Sequence, residues 1–280
     1  MNALELLNSG SDKLQRLKIR TSRLDSEILL SKVLGKKRER VLVDFQDQVA
    51  SNEILKYNQL INRRYLKEPI AYILKKKEFW SKLFEVNENT LIPRPETELM
   101  VEKIIKIYKG KKISILDIGT GSGCILISLL DELKNSNGVG IDISKKALIV
   151  AKKNARNHNL AHKIKFIHKS LTNIFNIKFD LVVSNPPYIK KSDLKNLQED
   201  IKMYEPLVAL DGGNDGLDVI KKVIYKAKYI LKIRGKLALE IGNEQYLEVS
   251  KILKRNNFRI EHCIKDYKEN IRCLISSLKR

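Results

Sequence analysis

Apolar residues recur at two different spacings along this chain, and the change of spacing divides it. From residue 1 to 67 they fall at helical intervals. Leu4, Leu6, Leu7, Leu14 and Leu17 line one face of a first helix. Leu24, Ile28, Leu29, Val33 and Leu34 line a second, and Ile54, Leu55, Leu60 and Ile61 a further one. Ser22 and Ser51 are candidate N-caps, with Asp25 at the third position of the second helix and Gly35 as its C-cap. Residues 1–67 are therefore expected to form a small helical bundle. It holds no catalytic constellation, and it suits a substrate-recognition domain or a packing extension of the main domain.

Glu68-Pro69 ends the helices, and residues 68–90 read as a β-hairpin linker, with 70–74 and 83–86 as its strands and Phe79 and Trp80 between them. Residues 91–280 are expected to form the main domain. Pro95 suits the first turn of a helix over 97–108, with Glu96 and Glu98 at its positive end. From 113 onward the spacing alternates. Strand-like runs at 113–118, 139–143, 164–167, 179–184 and 236–241 are separated by helical runs, which predicts an α/β domain with a mostly parallel sheet. Residues 258–264 and 271–276 are both strand-like with only a short turn between them, so that closing pair must be antiparallel.

Two stretches at strand ends carry chemistry. The first is Asp117-Ile118-Gly119-Thr120-Gly121-Ser122-Gly123, where a strand passes into a helix. Glycines at this turn let a ligand approach the backbone. The turn is shorter than the dinucleotide G-x-G-x-x-G, and the Asp117 carboxylate would repel a phosphate but welcome an ammonium group. That favours S-adenosylmethionine over NAD. Asp142 ends the next strand, where an acidic residue can take ribose hydroxyls. The second stretch is Asn185-Pro186-Pro187-Tyr188. Asn185 offers an amide oxygen, and the prolines fix φ and press the preceding residues into extended backbone, so the Pro186 carbonyl is held beside it. Two adjacent acceptors suit the two hydrogens of a planar NH2 group, and Tyr188 can stack on the group that carries it.

Composition narrows this picture little. The 280 residues are 43% hydrophobic and 31% charged, as in a soluble globular protein, without a long apolar run or a signal peptide, so a cytoplasmic protein with no membrane partner is expected. The net charge of +21 comes from lysines spread along a Lys-, Ile- and Asn-rich chain. It raises affinity for acidic surfaces without specifying a nucleic acid. Cys124, Cys263 and Cys273 form no C-x-x-C, and His158 and His162 lack the companions of known metal sites, so neither disulfides nor a metal is expected.

Leu91-Ile92-Pro93-Arg94-Pro95-Glu96-Thr97-Glu98, the glycine turn, Ser184-Asn185-Pro186-Pro187-Tyr188-Ile189, and Tyr204-Glu205-Pro206 with Leu210-Asp211-Gly212-Gly213 together resemble the release-factor glutamine methyltransferases (the PrmC/HemK family). The likeness runs in order through residues 68–280; the helical N-terminus agrees in length and type. Asn-Pro-Pro-Tyr by itself is shared with N6-adenine methyltransferases of nucleic acids. The resemblance implies a class I methyltransferase fold, Rossmann-like, with a seven-stranded sheet whose last strand is reversed. It implies methylation, with S-adenosylmethionine, of the glutamine amide nitrogen in the Gly-Gly-Gln motif of peptide-chain release factors, hence a role in translation termination. Gly119, Thr120, Gly121, Ser122, Gly123, Asp142 and Asn185 take over the family's cofactor positions, and Leu171 the residue flanking the adenine. Ser170 stands where the family commonly has an acidic residue, and its hydroxyl can still meet an exocyclic amine. Asn185, Pro186, Pro187 and Tyr188 are the expected substrate residues, and Asn185, Pro186 and Tyr188 the expected catalytic ones. A monomer is expected. Glutamine methylation of a ribosomal protein and N6-adenine methylation of nucleic acid are the alternatives.

Overall fold

The computed structural model describes residues 1–171 and 177–279. These form two compact units, one of residues 1–75 with 198–204, the other of 76–197 with 205–280.

The first unit is helical: α1 (Ala3–Gln15), α2 (Ser22–Leu34), α3 (Arg38–Val43), α4 (Ser51–Tyr65) and α5 (Ile70–Leu74). Asn2 caps α1 in a capping box, its side chain accepting from the Glu5 N–H at 2.9 Å while Glu5 accepts from the Asn2 N–H at 2.9 Å. Gly10 allows α4 to close on α1, because a Cβ there would stand 2.0 Å from the Tyr57 hydroxyl. That hydroxyl bonds Ser26, which donates to the Leu7 carbonyl at 2.9 Å. Thr21 is the N-cap of α2, one residue before the expected Ser22, and Gly35 ends it with φ of 64° as expected. Asp25 is consequently the fourth helical residue rather than the third. It is buried, accepts from Thr21 Oγ1 at 2.9 Å and from Arg64 Nε at 2.7 Å, and so ties α2 to α4. Asp25→Ala would leave the buried Arg64 guanidinium without its counter-charge. A loss of roughly 3 kcal/mol is expected, measurable in urea unfolding of the whole protein.

The expected strand at 70–74 is corrected: Ile70-Ala71-Tyr72-Ile73-Leu74 is the helix α5. Five apolar residues fit either state. Here Pro69 starts a helical turn, and Lys75, at φ 58°, stops it. The hairpin begins one residue later, as β1 (Lys76–Phe79) and β2 (Lys82–Glu85). Trp80 and Ser81 make its two-residue turn with φ of 51° and 53°, the twist that antiparallel partners need, without a glycine.

The second unit also carries α6 (Pro95–Tyr108), β3 (Ser114–Ile118), α7 (Cys124–Glu132), β4 (Asn137–Asp142), α8 (Lys145–Asn157), β5 (Ile164–His168) and β6 (Phe179–Ser184). The short helix α9 (Glu199–Tyr204) belongs to the first unit. α10 (Asp218–Ile230), β7 (Leu231–Glu240), α11 (Tyr246–Arg255), β8 (Phe258–Lys265) and β9 (Ile271–Leu278) complete the second. The seven-stranded sheet has the order β5-β4-β3-β6-β7-β9-β8, and β9 runs antiparallel to both neighbours, as the short closing turn requires. Side chains alternate across it. Ile115, Leu181 and Val183 face a core with α6 and α7; Leu116, Ile118 and Val182 face one with α10 and α11.

This topology opens a crevice of the kind in which open α/β sheets take ligands. The chain leaves β3 for β4 and β5 on one side, then returns to β6 on the other. The connections after β3 and β6 therefore diverge, and a crevice opens at the carboxyl ends of these two central strands. The glycine turn follows one and Asn185 the other.

Candidate functional site

The crevice is a cleft of about 490 Å³. On the β3 side Gly119, Gly121 and Gly123 have φ of 72°, 54° and 81°, a backbone region that glycine enters freely. A Cβ on Gly119 or Gly121 would meet nothing within 4 Å, so the turn presents bare backbone to the cleft. Beneath it lies Asp117, fully buried and not among the cleft-lining residues. Its Oδ2 accepts from Thr120 Oγ1 at 2.6 Å, while Oδ1 finds no partner among the described residues. Burial pushes this carboxyl up to about 7; the Thr120 bond opposes the shift and the charge of Asp142 adds to it.

Asp142 closes the turn from the side. Its Oδ2 accepts from the Gly121 N–H at 2.9 Å and its Oδ1 from the Ser144 N–H at 2.8 Å. Each oxygen keeps a lone pair for a hydroxyl. Ser144 caps α8 by accepting from the Ala147 N–H at 3.1 Å. Beyond Asp142, Ile143 and Leu171 supply apolar walls. Ser122 also lines the cleft, and so does Cys124, whose thiol burial raises to about 12, leaving it unreactive.

On the β6 side Asn185, Pro186 and Pro187 line the cleft. Ser184 Oγ donates to the Ile118 carbonyl at 2.8 Å and holds the two strand ends together. Asn185 Nδ2 donates to Thr97 Oγ1 at 3.3 Å, and Thr97 Oγ1 donates to Glu240 Oε2 at 2.6 Å. Tyr188 is not among the lining residues. Its hydroxyl accepts from Arg272 at 3.2 Å and its ring lies 5.6 Å from that guanidinium. Its carbonyl accepts from Gln245 at 3.0 Å.

Three residues of this site were not singled out by sequence reasoning. Thr97 sits inside a motif that carries family resemblance but no chemistry of its own in the sequence. Glu240, 1% exposed, ends β7, and an acidic residue closing an apolar strand was the available signal. Burial pushes it up to about 7 against the pull of the Thr97 bond and the Arg272 charge. Glu205, also buried, accepts from Arg94 at 2.6 Å and from the Ile92 N–H at 3.2 Å, fixing the rim segment in front of α6.

Known proteins share both parts of the chain. Residues 5–74 match the PrmC N-terminal domain and residues 95–203 the Methyltransferase small domain. The chain is 37% identical over 290 residues to the "Bifunctional methyltransferase" of Rickettsia typhi; the match takes in 96% of this chain but spans only 56% of that protein's length. It is 38% identical to the "Release factor glutamine methyltransferase" of Buchnera aphidicola subsp. Acyrthosiphon pisum, with 98% of each chain covered. A ribosomal protein L11 methylase from Lactobacillus delbrueckii subsp. bulgaricus shares the fold at a TM-score of 0.52 and 20% identity, over 68% of this chain and 81% of that one.

Proposed function

The chain belongs to the release factor glutamine methyltransferase family, and we propose that it methylates the side-chain amide nitrogen of the glutamine in the Gly-Gly-Gln motif of peptide-chain release factors. The observation that carries this reading is the placement of Asn185. It lines the cleft across the β3–β6 crevice from the glycine turn, with its Nδ2 turned away to Thr97. Its oxygen is thereby left for a ligand that brings N–H donors.

The cleft residues fit S-adenosylmethionine. Bare backbone at Gly119 and Gly121 suits the amino-acid portion, the unpartnered buried oxygen of Asp117 suits its ammonium, and Asp142 suits ribose hydroxyls. Ile143 and Leu171 suit a flat base. Bound there, this cofactor supplies an electrophilic methyl on sulfur.

An amide nitrogen is a poor nucleophile, because its lone pair is drawn into the carbonyl. Asn185 Oδ1 and the Pro186 carbonyl accept its two N–H bonds. They hold the amide in one orientation and favour positive charge building on nitrogen. The prolines keep the Pro186 carbonyl from turning away. Tyr188, braced by Arg272 and Gln245, stiffens this loop from behind the cleft wall rather than stacking on the substrate. The proton that nitrogen sheds passes Asn185 to water. Leu207 and Val208, exposed apolar residues lining the cleft, suit a polypeptide segment as the incoming chain.

The test uses labelled S-adenosylmethionine and two purified release factors, one with Gly-Gly-Gln and one with that Gln changed to Ala. Label in the first alone, with one methyl on the glutamine amide by mass spectrometry, is expected. Label in neither, from a protein that binds the cofactor, overturns the reading and moves the substrate to a ribosomal protein or to nucleic acid.

A further inference from the structure

Asparagine has an amide whose two ends are nearly the same size. Shape by itself does not decide whether oxygen or nitrogen faces the cleft; hydrogen-bond partners decide it. At Asn185 the choice is the whole chemistry. With oxygen outward, the residue accepts from a substrate amide. With nitrogen outward, two N–H donors would confront the two donors they are meant to bind.

We propose that Glu240 and Thr97 form a polarity lock that selects the productive end of Asn185, making both positioning residues for methyl transfer. The inference rests on the function proposed above for the use of the amide oxygen, but the lock itself is a statement about this chain alone.

The direction of the hydrogen bonds carries it. A threonine hydroxyl has one hydrogen. Thr97 gives that hydrogen to Glu240 Oε2 at 2.6 Å, so toward Asn185 it presents lone pairs only. Only the NH2 end of Asn185 can then face it, and Nδ2 does, at 3.3 Å. Thr97 is 2% exposed and Glu240 1% exposed, so water does not compete for the bond between them; the Asn185 bond is half-buried at the cleft wall. The three residues come from α6, β7 and the end of β6, so the lock also fixes where these elements meet. Arg272, on β9, contributes a positive charge that favours the ionised carboxyl; Glu96 and the Tyr188, Cys124 and Cys273 side chains are the other titratable groups around it. A protonated Glu240 could instead donate to Thr97, free the threonine hydrogen to meet an oxygen, and release the lock.

Two measurements test this. The first needs no turnover. In protein labelled with 15N at asparagine side chains, the NH2 pair that disappears in Asn185→Ala should show a contact to the Thr97 methyl and slow exchange with solvent. Rapid exchange without that contact would overturn the lock even if the protein proves to methylate something else. The second is kinetic. Thr97→Val keeps the shape and removes the hydroxyl, and kcat on the release factor should fall about tenfold to a hundredfold. KM and cofactor Kd should stay near wild type, Tm should fall modestly because the buried Glu240 carboxyl loses a donor, and Thr97→Ser should restore most of the rate and of the Tm. Adding Thr97→Val to Asn185→Ala should cause no further loss, because the lock then has nothing to orient. A Thr97→Val enzyme within about twofold of wild type, or losses that multiply in the double variant, would refute the proposal. A wild type inactive on the release factor, with the NH2 contact present, would count against the function and not against the lock.

Discussion

Replacing Asn185 by Ala is expected to lower kcat on a release-factor substrate by on the order of a hundredfold or more, by analogy with removing one donor of an oxyanion hole. The physical reason is that the reacting nitrogen loses an acceptor at the moment it becomes positive. No other residue restores it: the prolines beside it have rigid backbones and no polar side chains. The fold should survive. Asn185 follows the last residue of β6, and its side chain bonds to Thr97. Thr97 keeps its stronger bond to Glu240 when that donor is gone. Cofactor Kd by calorimetry and Tm should therefore stay close to wild type while turnover collapses. Turnover near normal in this variant would remove Asn185 from the mechanism.

The second large effect is on stability against pH. Asp117 and Glu240 are buried carboxyls, each with one unpartnered oxygen among the described residues and each raised to about 7. Their unfolded values are near 3.8 and 4.5. Between those values and about 7 the folded protein binds more protons than the unfolded chain, so stability falls as pH rises. At about 1.36 kcal/mol per pH unit the two groups contribute on the order of 3 to 4 kcal/mol each, present at low pH and lost by about pH 8. Asp180 and Glu261, held down by Lys232 and Lys236, and His262, lowered by burial, are shifted the other way and offset part of this decline. Urea unfolding of cofactor-free protein at about pH 5 and about pH 8 should show the decline. Asp117→Asn should remove about half of it, making the protein more stable at the higher pH while weakening cofactor binding. A flat profile across that interval would refute both assignments.

Much of this protein was legible in its sequence, for a local reason. The alternation of strands and helices from residue 113, the reversed closing strand, the glycine turn with Asp142, and Asn185-Pro186-Pro187-Tyr188 are each carried by neighbouring residues, whose spacing and backbone limits act wherever the chain goes. Locality also explains what was misread. Ile70-Ala71-Tyr72-Ile73-Leu74 has too few residues to show a period, so Pro69 and packing chose the helix. The loop after β6 specified a ring at Tyr188 but not its neighbour, and folding brought Arg272 from β9 against it. Thr97 and Glu240 are 143 positions apart, and Thr97 and Asn185 are 88 apart. No local rule joins them. Their meeting depends on the order of strands in the sheet and the seat of α6 upon it, and a hydrogen bond of defined direction exists only after those elements have packed. Residue types and their near spacing brought the glycine turn, Asp142 and Asn185 to strand ends that line one cleft. Which way the amide of Asn185 faces was left to the packed fold, because orientation is set by partners that only long-range contacts supply.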